Sequence, residues 1–285
     1  MIVGFYVLMF VIGACFGSFL CCQARRLHIY TSPKHKTSAK SKSSTKTKKT
    51  DTENLGHRSI CLHCSYQLKW YDNLPIISWL ILRGKCRHCH KKIGLAELLS
   101  ELGLGIAFLL LSLSINPFLI TPLEWTIFIV TLMLTIVLSF LAIYDGLYGE
   151  LPSYYLITSI ILASILLVLK IIAALSIAPF TINIILNPFF SVIILGGLYL
   201  TLYLVSKGKW VGDGDWLLGL AIGLALASPW LALITLFLAN LLACLVMYRT
   251  VKTNRKARIH LGPFLVAAFV IVYAFSAPLS NIMIQ

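Results

Sequence analysis

The sequence predicts an all-α, polytopic membrane bundle of about eight transmembrane helices with one small polar domain on the cytoplasmic side. Three observations carry that reading. Of its 285 residues, 59% are hydrophobic and only 12% charged, at a mean hydropathy of +0.88. The apolar residues come in blocks of helix length, and about 20 such residues are what roughly 30 Å of hydrocarbon requires. The net charge of +14 is gathered in a few loops while the apolar blocks carry almost none of it, which argues against a nucleic-acid-binding surface.

The first span runs from Ile2 to about Cys22, with Gly13 and Gly17 giving a small-xxx-small face for close packing. Arg25 and Arg26 follow it and no basic residue precedes it, the reverse of a secretory signal peptide. The helix is therefore expected to be retained, with its N-terminus outside and the next loop cytoplasmic. Further spans are expected at roughly 95–115, 124–144, 154–175, 188–206, 216–228, 231–248 and 261–278. Residues 216–248 are few for two crossings. Even so, Lys207 and Lys209 before them and Arg249, Lys252, Arg255, Lys256 and Arg258 after them should all lie inside, which requires an even number. The first of that pair must then be short or start deep, recessing Asp215. Lys170, near the outer end of the fourth span, is expected to snorkel to the headgroups.

The chain thus divides into a first transmembrane helix (1–22), a cytoplasmic loop (23–94) and a membrane-embedded remainder (95–285). Within the loop, residues 31–53 are rich in Lys, Ser and Thr and have no apolar residue larger than alanine. Such a stretch cannot offset its ordering entropy by burial, so it reads as a disordered cationic insert near anionic lipid. It lacks the interleaved aromatic residues of a nucleic-acid stacking surface. Order is expected to return over 57–94, where Cys61 and Cys64 in "CLHC" and Cys86 and Cys89 in "CRHC" give two Cys-x-x-Cys pairs. Four thiolates at this spacing can close a tetrahedral site around a borderline-soft cation, zinc first, and in a reducing compartment a metal explains them better than disulfides do. Redox chemistry, another metal, and a Cys₃His set drawing on His57, His63, His88 or His90 stay open. The expected role of the ion is structural, closing a small zinc-bound domain too small to build its own core. Cys15, Cys21, Cys22 and Cys244 lie in apolar helices and read as buried free thiols.

Two carboxylates stand at membrane mouths, Asp145 in "LAIYDGLYGELPS" and Asp215 in "KWVGDGDWLLG". The charge-based topology puts both at the cytoplasmic face, from different helices. Charges so placed are usually retained for chemistry, pairing or a pathway. The sequence contains no Gly-x-Ser-x-Gly, His-Glu-x-x-His or nucleotide-binding glycine loop, and no histidine stands beside either aspartate; His260 in "HLGPF" is the one near a later membrane mouth. Two carboxylates in close approach share one proton, and such a pair can hydrolyse a peptide bond by acid–base catalysis. From spacing alone, loop salt bridges to Lys207 and Lys209 or an ion or proton pathway remain open, and Asp213 is the rival of Asp215, nearer the water.

The residues resemble the bacterial type 4 prepilin leader peptidase/N-methyltransferase family of pilus and type II secretion systems. The resemblance is carried by "GACFGSFL" (13–20), "RSICLHC" (58–64), "LKWYDNLPIISWLILRGKCRHCHKKIG" (68–94), Glu97, Asp145 with Leu151-Pro152, Gly214-Asp215 and "HLGPFL" (260–265). It implies an aspartic endopeptidase of the inner membrane that removes the basic leader of prepilins and pseudopilins after a glycine. It also implies N-methylation of the new terminus with S-adenosylmethionine. The roles carried over are Asp145 and Asp215 as the dyad and Cys61, Cys64, Cys86 and Cys89 as zinc ligands. Leu217 stands where the family has lysine, Ser153 where it has aspartate, and Cys21-Cys22 where it has Asn-Val. The contrasting expectation is a non-enzymatic membrane protein, either a proton-coupled transporter or an inactive assembly factor on the same scaffold. A transporter of inverted repeats would show two related halves, and no internal repeat is evident.

Overall fold

A computed structural model describes residues 2–31, 61, 64, 66–115, 121–177, 180–208, 212–253 and 260–276. The insert beyond Thr31, together with His57 and His63, lies outside the described residues. The described chain is helical: α1 (Ile2–Thr31), α2 (Ile77–Ile81), α3 (Leu95–Leu113), α4 (Pro122–Tyr148), α5 (Ser153–Ile177), α6 (Asn183–Ser206), α7 (Asp215–Leu226), α8 (Pro229–Thr253) and α9 (Gly262–Ala274). Six of these are long and apolar enough to cross a membrane, namely α1, α3, α4, α5, α6 and α8. The expectation of about eight full spans is thereby corrected. Helices α7 and α9, of 12 and 13 residues, rise only about 18–20 Å at 1.5 Å per residue, short of roughly 30 Å of hydrocarbon. Helix α1 also runs past the expected end at Cys22 to Thr31, because its apolar run is followed by residues that favour helix equally well.

Local signals set the helix ends. Thr121 and Glu124 form a reciprocal capping box before Pro122 at the first turn of α4. At the other end Gly149, at φ 70°, takes the left-handed cap conformation that a side chain would disfavour, and its N–H closes on the Asp145 carbonyl at 2.8 Å. Ala227 ends α7 in the same conformation.

Close backbone approach ties the bundle together. The expected glycine face of α1 is occupied by α3: a Cβ on Gly13 would come within 2.5 Å of the Leu104 carbonyl, and Gly17 lies against Ser100. Helix α7 is the buried centre, with Leu218, Ala221, Ile222 and Ala225 fully enclosed. Its Gly219 and Gly223 pack on α6 at a π-helical turn, Ile193–Gly197, where Ser191 Oγ donates to the Gly223 carbonyl at 2.8 Å. This kind of packing substitutes for a hydrophobic drive that lipid removes.

Lys170 does not reach outward as expected. Its Nζ donates to the Ala225 carbonyl at 2.6 Å and lies 4.5 Å from the centre of the Tyr273 ring. A helix that stops short leaves carbonyls without water, and this cation supplies a donor to them and complements the negative end of the α7 dipole. Replacing Lys170 by Met should therefore cost on the order of 1–3 kcal/mol, the scale of leaving a buried acceptor unmet. Thermal unfolding in detergent should show the loss, and an unchanged midpoint would mean that the contact contributes nothing.

Candidate functional site

The end of α1 meets the end of α4, and the end of α4 meets the start of α9. His28 of α1 stacks on Tyr148 of α4 with ring centres 3.7 Å apart, and Arg25 pairs with Glu97 of α3 at 2.5 Å. Asp145, only 6% exposed, sits one turn before the end of α4. Its Oδ2 accepts the Gly262 N–H at 3.0 Å. Position 262 has no room for a side chain, since a Cβ there would stand 2.7 Å from that same oxygen. Asp215 occupies the first turn of α7, where the helix dipole favours an anion, and its Oδ2 accepts the Gly212 N–H at 3.0 Å.

Two loop contacts join these places. A Cβ on Gly214 would fall 2.7 Å from Leu151 Cβ, so the loops after α4 and before α7 touch. Asp145 and Asp215 thus stand on either side of this loop contact, whereas Asp213 is exposed on the loop. Glu150 is exposed on the facing loop.

The structure adds a residue that spacing could not supply. His260 Nδ1 lies 3.6 Å from Asp145 Oδ1, with the ring resting where a Gly149 side chain would be. No histidine neighbours either aspartate in sequence. The nearest signal was the position of "HLGPF" just before an apolar helix.

The second cluster is built from Cys61, Cys64, Cys86 and Cys89, whose Sγ atoms all lie within 4.8 Å of one another. Cys61 and Cys89 are 3.9 Å apart, and all four are free thiols. A tetrahedral ion bonded to sulfur at about 2.3 Å sets its ligands about 3.8 Å apart, so the donor set fits zinc in kind and in spread. Among the described residues no histidine joins the four sulfurs; His88 is instead stacked on Tyr66, ring centres 5.1 Å apart.

The second knuckle is a tight turn in which the Cys86 N–H reaches the Lys91 carbonyl and the His90 N–H the Cys86 carbonyl. The backbone N–H groups of Cys89 and His88 hold the Cys86 thiol down to about 7. Cys64, although the Tyr66 backbone favours its thiolate, is pushed up to about 12 by lost hydration and by the sulfurs of Cys61, Cys89 and Cys86. Four thiolates do not form together without a cation to offset their repulsion, which ties metal binding to order in this subdomain.

The subdomain is fastened to the membrane helices through carboxylates. Glu101 of α3, 7% exposed, accepts the Ile76 N–H at 2.7 Å while Ile76 holds φ at 63°, a conformation costly for a branched residue. Asp72 accepts from Arg87 at 2.9 Å. Between α1, α3 and the knuckles lies a cavity of about 220 Å³, lined by Arg25, Trp79, Lys91, Glu97 and Glu101 among others. Trp79 Nε1 and Glu97 Oε2 are buried there without a hydrogen-bond partner among the described residues.

A family model described as the bacterial peptidase A24 N-terminal domain matches residues 11–115. The match takes in the four cysteines and Glu97 and stops before the aspartates. A prepilin leader peptidase/N-methyltransferase of Vibrio cholerae serotype O1 is 48% identical over 50 residues, 18% of this chain and 20% of the relative. One from Myxococcus xanthus is 34% identical over 104 residues, 36% and 25% respectively. A type 4 prepilin-like proteins leader peptide-processing enzyme of Escherichia coli O78:H11 is 48% identical over 56 residues, 20% and 21%. The chain therefore matches a quarter or less of these relatives' own lengths. No solved structure matches it.

If Glu101 holds the subdomain, Glu101→Ala should release the strained turn at Ile76. Limited proteolysis should then cut within 66–94 markedly faster than in the parent protein, whereas unchanged cleavage would place the attachment elsewhere.

Proposed function

We propose, from the premise that the chain belongs to the bacterial prepilin leader peptidase/N-methyltransferase family, that it is a membrane aspartic endopeptidase with Asp145 and Asp215 as its catalytic pair. Its substrates are prepilin and pseudopilin precursors, cut after a glycine at the cytoplasmic face of the inner membrane. In this orientation the N-terminus lies outside and the cysteine subdomain inside. The observation that supports the pair most is that each carboxylate is held by a backbone N–H, Asp145 by Gly262 and Asp215 by Gly212, while the loop after the first touches the loop before the second.

The chemistry follows from a shared proton. Two adjacent carboxyls in a poorly hydrated site ionise one at a time. The ionised member takes a proton from water, whose oxygen attacks the carbon of the scissile carbonyl. The protonated member gives its proton to the carbonyl oxygen. Collapse of the tetrahedral species breaks the C–N bond: the proton taken from water leaves on the new amine, and as the C=O re-forms a hydroxyl proton returns to the carboxylate that had protonated the carbonyl oxygen. His260 is a positioning residue beside Asp145 in this scheme.

Zinc, held by Cys61, Cys64, Cys86 and Cys89, keeps the subdomain folded and takes no part in hydrolysis. S-adenosylmethionine supplies, when bound, the methyl group for the new N-terminus. The cavity under the knuckles suits it in kind: Glu97 Oε2 can meet its ammonium, Lys91 its carboxylate, and Trp79 Nε1 can donate to an acceptor.

Leader cleavage measured on a prepilin in membranes tests the pair. Asp145→Asn and Asp215→Asn should each lower the rate by at least about 10²–10⁴-fold, the usual worth of acid–base participation, while Asp213→Asn should cost far less. An unchanged rate in either variant would put the non-enzymatic readings ahead. Elemental analysis should find about one zinc per chain, lost in Cys86→Ser; metal content unaffected by that change would refute the ligand set.

A further inference from the structure

The cysteine subdomain carries an apolar face that none of the described residues covers. In residues 74–82, around α2, Ile77, Leu80 and Ile81 are 54%, 59% and 70% exposed, and Leu74 before them is exposed as well. The opposite side of the same segment is occupied: Ser78, Trp79 and Leu82 line the cavity under the knuckles, together with Arg25, Glu97 and Glu101. The segment is thus a thin wall, with a polar cavity on one side and bare aliphatic side chains on the other. Large aliphatic groups exposed this close together mark a contact, unlike apolar residues scattered singly over a surface.

Depth identifies the contact. Glu101, which accepts the Ile76 N–H at 2.7 Å, follows the first residue of α3, Leu95, by about 9 Å at 1.5 Å per residue. That helix has 19 residues, about 28 Å of rise, and roughly 30 Å of hydrocarbon leaves none of it to spare. Even with the carboxylate reaching back toward the start of the helix, the Ile76 turn lies at the hydrocarbon edge, and α2 begins there. The N–H groups of Ile77, Ser78, Leu80 and Leu82 donate to the carbonyls of Pro75, Leu74, Ile76 and Ser78. The segment therefore closes its own donors, as a medium without water requires. Arg83 and Lys85 come next, both exposed and neither in an ion pair among the described residues.

We propose that residues 74–85 are an interfacial anchor: Leu74, Ile77, Leu80 and Ile81 enter the acyl chains of the leaflet on the subdomain's side, with Arg83 and Lys85 at anionic headgroups. Cations beside an apolar face are what holds a segment in the surface of an anionic bilayer. Lipid thereby backs the outer side of the cavity wall and keeps the polar cavity closed off from the bilayer by α2 alone. A water-soluble partner would have to meet this face away from the lipid, whereas Glu101 holds its base at the hydrocarbon edge. The inference needs only that α3 crosses the bilayer, for which it is long and apolar enough, and is independent of the chemistry at the aspartates.

The experiment uses the full chain in nanodiscs of phosphatidylethanolamine and phosphatidylglycerol, with a spin-labelled amino acid incorporated at the exposed position of Ile81. Collisions of the label with oxygen, which concentrates in acyl chains, and with a water-soluble nickel chelate are read by electron paramagnetic resonance. The expected result is access to oxygen and exclusion of nickel. Nickel access above oxygen access would place the face in water, and low access to both would show that protein, such as a second copy of the chain, covers it; either overturns the proposal. Oxygen access lost on adding a prepilin would give the face to that protein and overturn it equally.

A second arm tests the headgroups. Exchanging phosphatidylglycerol for phosphatidylcholine should lower the ratio of oxygen to nickel collisions at Ile81 about twofold or more, and the Arg83→Gln/Lys85→Gln variant should no longer respond to that exchange. A ratio in the parent chain that is indifferent to lipid charge would overturn the contact of Arg83 and Lys85 with anionic lipid.

Discussion

A carboxylate at the end of a membrane helix survives only where the protein returns what water gave it, and this requirement organises the structure. Asp145 is returned a backbone donor by Gly262, at the start of a helix that folds back from the far side of the chain. Asp215 receives the positive end of α7 and the Gly212 N–H. The first arrangement needs the backbone to come close to an oxygen, hence the glycine at 262. The same requirement explains the short helices. A full-length α7 would either carry Asp215 out into the loop or push its own far end through the membrane. Twelve residues, closed at the buried end by Lys170 on Ala225, reconcile a recessed aspartate with satisfied carbonyls.

The cysteine subdomain answers a different constraint. Residues 66–94 have few buried apolar groups, so a metal held by the four cysteines would substitute for a core. Its contacts to the membrane part are polar and specific: Glu101 to the Ile76 N–H, and the Arg25–Glu97 pair beside Gly94. Both carboxylates lie on α3, so order in the subdomain and the seating of α3 against α1 are coupled.

Much of this was legible in the sequence because membrane helices declare themselves by hydropathy and metal ligands by spacing. The α1 glycine face and the gathering of the four cysteines both follow from one-dimensional patterns. What was not legible depends on the third dimension. The few residues over 216–248 do indicate that α7 is short, whereas the apolar run 261–278 does not show that α9 ends at Ala274. Lys170 reads as an outward anchor because its partners, Ala225 and Tyr273, belong to helices whose depth the sequence leaves open. His260 was visible as a residue near a membrane mouth, but its proximity to Asp145 comes from chain folding. Glu101 is one polar residue in an apolar helix, and its partner, the N–H of a strained turn, is set by chain folding.

The central claim is that Asp145 and Asp215 act as one unit and not as two separately useful charges. Groups that work on the same proton are not additive, because losing either already removes what both provide. The most direct measurement is the leader-cleavage rate of the Asp145→Asn/Asp215→Asn double variant beside the two single variants, with all four proteins inserted and folded. The double variant should be no slower than the worse of the two singles, to within a few-fold. Losses that multiply would show that the carboxylates act independently and would contradict the pair.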